Sequence, residues 1–162
     1  MIPLVVMLFA WVAFRLLGAS GLINSTGTAA GALRYALAMM FTLTASAHFL
    51  PTTRPDMIRM VPPGLPSPEI LVTLTGLLEL AGATGLLLSA TTTVAAYWLI
   101  ALLVVLFPAN VHAARAGLEF AGQAATPLVW RLPLQLFWIG ALWWVAQHHR
   151  RQRGPTSAPA SA

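Results

Sequence analysis

Ile70-Leu71-Val72-Thr73-Leu74-Thr75-Gly76-Leu77-Leu78-Glu79-Leu80-Ala81-Gly82-Ala83-Thr84-Gly85-Leu86-Leu87-Leu88 is the stretch on which the fold turns. It is long enough to cross a bilayer, since about 20 apolar residues span a hydrocarbon core of roughly 30 Å. Its single charge, Glu79, falls near its middle. A carboxylate at that depth is costly against lipid, so it should face protein or trapped water. Gly76 lies one turn before it, and Gly82 and Ala83 one turn after. Small residues there let a neighbouring backbone approach closely. The stretch therefore reads as the third helix of a membrane bundle, with Glu79 turned inward.

The rest of the chain agrees. Of 162 residues, 58% are hydrophobic and 8% charged, outside the range of soluble domains. All nine basic residues are arginines, spread between apolar segments and at the C-terminal tail. They form no basic face with interleaved aromatics, which argues against a nucleic-acid partner. Arginines at segment ends instead suit a lipid bilayer. There is no cysteine. The chain alone can neither cycle a dithiol nor bind a thiolate-held cluster. A redox role would need an organic cofactor, a non-cysteine metal site or a partner subunit.

Outward from Ile70–Leu88, four more spans are expected. Ile2 to about Ile23 reads as a retained helix, because Arg15 comes late in the run and not before it as in a signal peptide. Cleavage near Ala19 and Ser20 is the alternative. A second helix is expected from Ala32 to Leu50, ended by Pro51. The proline-rich segment from Pro51 to Pro68 disfavours regular helix, apart from one amphipathic turn around Asp56–Val61. A fourth helix is expected over Val94–Ala114, kinked at Pro108. Arg115–Arg131 reads as a polar loop, and a fifth helix runs from Leu132 to Gln147. Trp143 and Trp144 suit an interfacial belt, and Arg34 and Arg131 read as interface anchors. The fold class is thus all-α, a five-span transmembrane bundle. It divides into an N-terminal helix and loop (1–31), a four-helix core (32–147) and a basic, disordered tail (148–162). The arginines near the C-terminus place that end in the cytoplasm and the N-terminus outside.

Alternating helix directions bring His48, Glu69, Asn110, His112, Arg131 and Gln135 to one end of the bundle, with Glu79 roughly 10 to 15 Å deeper at 1.5 Å per residue. One reading is a pocket in which Glu79 is a buried acid or proton carrier and His48 or His112 its exchange partner, with Asn110, His112 and Gln135 lining a quinone or substrate site. The other is that Glu79, Asn110 and Gln135 only hydrogen-bond across helices. No ligand spacing supports a metal site from His48, His112 and Glu79. His148 and His149 sit in a basic run suited to lipid headgroups.

Several strings carry a family resemblance: Ala47-His48-Phe49-Leu50-Pro51, Val61-Pro62, Leu65-Pro66, Thr75-Gly76-Leu77-Leu78-Glu79-Leu80, Phe107-Pro108-Ala109-Asn110-Val111 and Leu132-Pro133-Leu134-Gln135. In order, over about Leu33 to Ala146, they resemble the DoxX-like family of small bacterial membrane proteins. The resemblance implies a multi-pass protein of the bacterial inner membrane with a four-helix core. It also implies links to quinone-coupled or thiol-related oxidoreductase complexes. The family's motif glutamate falls on Glu79, its asparagine on Asn110 and its histidine on His48. The expected function is a quinone- or redox-linked membrane subunit working with a redox partner. The alternatives are a non-catalytic assembly or stress-response subunit and, third, a proton-coupled small-solute transporter.

Overall fold

A computed structural model describes residues 2–124 and 126–153. The chain forms α1 (Ile2–Ala19), a 3-10 turn (Asn24–Thr26), α2 (Ala29–Ser46), α3 (Arg54–Met60), α4 (Pro68–Leu87), α5 (Thr92–Arg115), a two-residue pair of strands β1 (Glu119–Phe120) and β2 (Gln123–Ala124), and α6 (Leu128–Arg153). α2 packs on α4, α4 on α5, α5 on α6, and α6 returns to α2, while α1 lies outside the ring against α2.

α2 is central for a reason visible in its composition. Ala30, Ala32, Ala36, Ala38 and Ala45 are all buried, and their small side chains let α1, α4 and α6 approach one helix. Leu37, Phe41, Leu86, Leu99, Leu142 and Val145 fill the interior between these helices. α1, α4, α5 and α6 are long and apolar enough to cross a membrane, compatible with a multi-pass membrane protein. Their outward faces carry Phe9, Ile70, Val94 and Val105, each at least two-thirds exposed. Such a surface is costly in water and neutral against lipid tails. α2, 18 residues long, is not among these four; it carries Arg34, Tyr35, Thr42 and Thr44.

Several boundaries differ from the sequence reading. α2 starts three residues early because Thr28 caps it, its Oγ1 accepting from Gly31 N at 3.0 Å. It also ends before Pro51. From Ser46 the chain tightens into i→i+3 bonds through Ala47, His48 and Phe49. The proline-rich connection holds a seven-residue helix, α3, with Pro55 in its first turn, where a proline costs no bond. α6 starts four residues earlier than expected and runs through the basic cluster to Arg153, so Pro133 lies inside it. The tail expected from 148 is therefore helical through Arg153, and the remainder, 154–162, lies outside the described residues. α5 continues through Pro108 to Arg115.

The expected polar loop after α5 holds a hairpin. Phe120 pairs with Gln123, and the two residues between them, Ala121 and Gly122, have φ of 52° and 73°. Positive φ at both positions is the twist-matched hairpin turn. Asp56 Oδ2 of α3 accepts from Ala121 N at 2.8 Å, so α3 and the hairpin form one strap across this end of the bundle.

Candidate functional site

Glu79 is where the stretch Ile70–Leu88 aimed it. It shares a buried face with Val72, Gly76, Ala83 and Leu86, at steps of three and four along α4. It is 7% exposed. Its Oε2 accepts from Thr44 Oγ1 of α2 at 3.1 Å, and no cation pairs with it among the described residues.

One turn on from Thr44 sits His48, also buried. Its Nδ1 lies 3.2 Å from the Thr44 carbonyl. A carbonyl can only accept, so Nδ1 carries the proton and Nε2 is free to accept. Thr44 thus touches both titratable groups, the carboxylate through its hydroxyl and the imidazole through its carbonyl. The His48–Phe49 turn rests on Gly76, and a Cβ there would lie 2.7 Å from His48 Cβ. Arg54 fastens the arrangement. It donates to the carbonyls of His48 (2.8 Å) and Glu69 (3.1 Å) and to Thr73 Oγ1 (2.8 Å), tying α3 to α4 and to the turn. The exposed groove beside it, about 360 Å³, is lined by Arg54, Glu69, Ile70, Thr73, Leu74 and Leu77. It lies on the α4 face opposite Glu79.

The remaining expected residues form a second group on α5 and α6. Arg131 donates to Asn110 Oδ1 and, through Nε, to the Thr126 carbonyl at 2.8 Å. Gln135 donates to the Leu103 carbonyl at 2.9 Å. His112 is partly buried beside them, its side chain without a hydrogen bond among the described residues. The two groups share one end of the bundle. Among the described residues, however, no side-chain hydrogen bond joins them, and no three His, Asp or Glu residues converge as metal ligands. Glu79 and His48 share Thr44; Asn110 and Gln135 bond partners on α5 and α6, and neither they nor His112 bonds Glu79 or His48 among the described residues.

Sequence reasoning missed Thr44 as the carboxylate's partner and Arg54 as the fastener. Thr44 is 35 residues away from Glu79, and two of Arg54's three partners are backbone carbonyls, which leave no residue signature. It also gave no account of what holds two arginines: Arg34 is buried at 6% exposure, and the half-buried Arg131 donates to Asn110.

Burial holds the His48 imidazole below its ordinary value, with the Arg54 charge acting the same way and its backbone bonds opposing them. The folded state therefore binds fewer protons here than the unfolded chain. Its contribution is full above the unfolded value, roughly 6.5, and is lost as the pH falls below it. Acidification from pH 7.5 to 5 should lower the melting temperature of the purified protein, and His48→Gln should flatten that slope. An equal slope in the variant would remove His48 as its source.

The arrangement defines a membrane-type helical bundle with one buried acid at the α2–α4 contact. A family model described as a domain of unknown function (DUF8561) matches residues 37–146, more than half of the chain, which belongs to that family. The match begins within α2 and ends within α6, leaving α1 outside it. No curated protein and no solved structure matches the chain.

Proposed function

We propose that this chain is a five-span protein of the bacterial inner membrane, with α2 as its central span, and that it serves as a DoxX-like quinone- or redox-linked subunit. Glu79 is its proton-exchanging acid and His48 the group that passes protons to and from the nearer surface. The observation that carries the reading is the solitary state of Glu79: buried, bonded to one hydroxyl, without a cation. Intramembrane carboxylates are costly and tend to be retained for function. Electrons would come from a partner subunit or a bound organic cofactor, since the chain has no cysteine to cycle. A quinone taking them up needs protons beside an apolar wall. On this reading Asn110, Gln135 and His112, on α5 and α6, are polar groups a quinone headgroup would meet at the same end of the bundle rather than partners of Glu79 itself.

The test is Glu79→Gln, which keeps an acceptor for Thr44 and removes the titrating proton. Quinone reduction by membranes carrying the variant should fall at least tenfold, with the protein level unchanged. Equal activity would take Glu79 out of the mechanism.

A second reading, a non-catalytic assembly subunit, draws on a different observation. Thr44–Glu79, Arg131–Asn110 and Gln135–Leu103 each tie two helices together. On that reading the purified protein retains no quinone, Glu79→Gln is silent, and cross-linking in membranes recovers one fixed partner.

A further inference from the structure

The end of the bundle opposite Glu79 and His48 holds a second polar feature, built around Arg34. Four observations bear on it. Arg34 is 6% exposed, and its Nε is buried without a hydrogen-bond partner. Its bonded partners are neutral: Nη1 donates to Thr92 Oγ1 at 3.1 Å, Nη2 to Tyr35 Oη at 2.9 Å, and the guanidinium lies 4.7 Å over the Tyr35 ring. These contacts orient the guanidinium, using two of its five N–H donors, but cancel none of its charge.

Among the described residues no carboxylate bonds or pairs with Arg34. Of the four acids in the chain, Asp56, Glu69 and Glu119 sit at the other end of the bundle. Glu79 bonds Thr44, which lies ten residues along α2 from Arg34, or about 15 Å at 1.5 Å per residue. Residues 154–162, outside the described residues, contain no Asp or Glu.

Arg34 also lines a half-open cavity of about 210 Å³ with Thr28, Gly31, Ser89, His148 and His149. That is room for about seven waters at roughly 30 Å³ each. The wall includes the first turn of α2, whose dipole adds positive potential. His149 Nε2 donates to the Ser89 carbonyl at 2.8 Å, which closes α6 over the α4–α5 turn.

A buried, permanently charged guanidinium without a counter-ion is a costly arrangement, and an anion is the group it lacks. We propose that this cavity binds a phosphate group, with Arg34 as the buried anchor and His148 and His149 of α6 walling its mouth. Guanidinium donors suit phosphate because they present paired N–H groups to two oxygens. The same chemistry is offered by an anionic lipid headgroup and by a free phosphate compound, and the cavity's half-open mouth admits either.

The experiment uses the full chain purified in a neutral maltoside detergent. Calorimetry with inorganic phosphate at matched chloride ionic strength tests the free anion. Native mass spectrometry with phosphatidic acid, against phosphatidylcholine of the same acyl chains, tests the headgroup. Saturable binding of inorganic phosphate supports the site as one for a free phosphate compound. Retention of phosphatidic acid alone supports it as a headgroup site. In either case Arg34→Gln should weaken binding at least tenfold. His149→Ala, which leaves the interior intact, should weaken it several-fold at an unchanged melting temperature. Absence of both ligands from the wild-type protein overturns the proposal. So does binding that survives Arg34→Gln or, should that variant fail to fold, binding that survives His149→Ala.

Discussion

Gly76→Leu should prevent the protein from accumulating in folded form, and Gly76→Ala should lower its melting temperature measurably. A Cβ at this position would stand 2.7 Å from His48 Cβ and 2.8 Å and 2.9 Å from the Phe49 ring carbons Cε2 and Cζ. The ring is partly exposed and can swing aside. The His48 Cβ cannot, because its turn is fixed by the bond from Nδ1 to Thr44 and by Arg54 on its carbonyl. Overpacking a tight contact costs about 1–3 kcal/mol for one or two added carbons. Alanine falls in that range, while leucine adds three further carbons where no space exists. A single cysteine at Thr44 gives a clean reporter, since the chain has none of its own. In the parent it should resist a membrane-permeant thiol reagent, and in Gly76→Ala it should react faster. Equal labelling and equal melting temperatures would mean that the turn does not rest on α4 as described.

The same contact explains what could be read from the sequence. Glu79 was legible because one charge in a long apolar run has few places to point, and Gly76, Gly82 and Ala83 mark the face where a neighbour comes close. The neighbour itself was not legible. Thr44 is an ordinary threonine until the fold brings it to the carboxylate. Arg34 reads as an interface anchor because it stands near the start of an apolar run, but its burial was not legible. Its burial depends on Thr92, 58 residues away, which supplies the oxygen that makes an interior guanidinium tolerable. The hairpin escaped notice for a local reason. Its turn is Ala121-Gly122, and alanine lacks the short polar side chain that usually marks a left-handed position. Helix ends moved where capping or tightened turns, rather than prolines, decided them: Thr28 at the start of α2 and the i→i+3 bonds at its end. Asn110 and Gln135 were legible as polar residues, but their partners, Arg131 and the Leu103 carbonyl, were not. Those partners are set by which helices are ring neighbours: α5 meets α6 there, and it meets α4 elsewhere along its length.

One such place is Gly82, and there the expected result is a compensating pair. Leu99 of α5 is fully buried, with Cδ2 and Cγ pressed against the backbone of Gly82. Leu99→Ala should cost about 2–5 kcal/mol, the range for emptying a buried leucine site. Between membrane helices this loss is mainly of packing contacts, because lipid offers no hydrophobic gain for assembly. Gly82→Ala should also destabilise, since its Cβ would stand 2.6 Å from Leu99 Cγ, which is not the free end of the side chain. In the double variant the new methyl enters the space that the leucine vacates. The combined loss should therefore be smaller than the sum of the two, by about 0.5–3 kcal/mol, as for residues in direct contact. Melting curves of the four proteins in one detergent measure the coupling. Strict additivity would separate the two residues and, with them, the packing of α4 against α5 that holds Glu79 inside the ring.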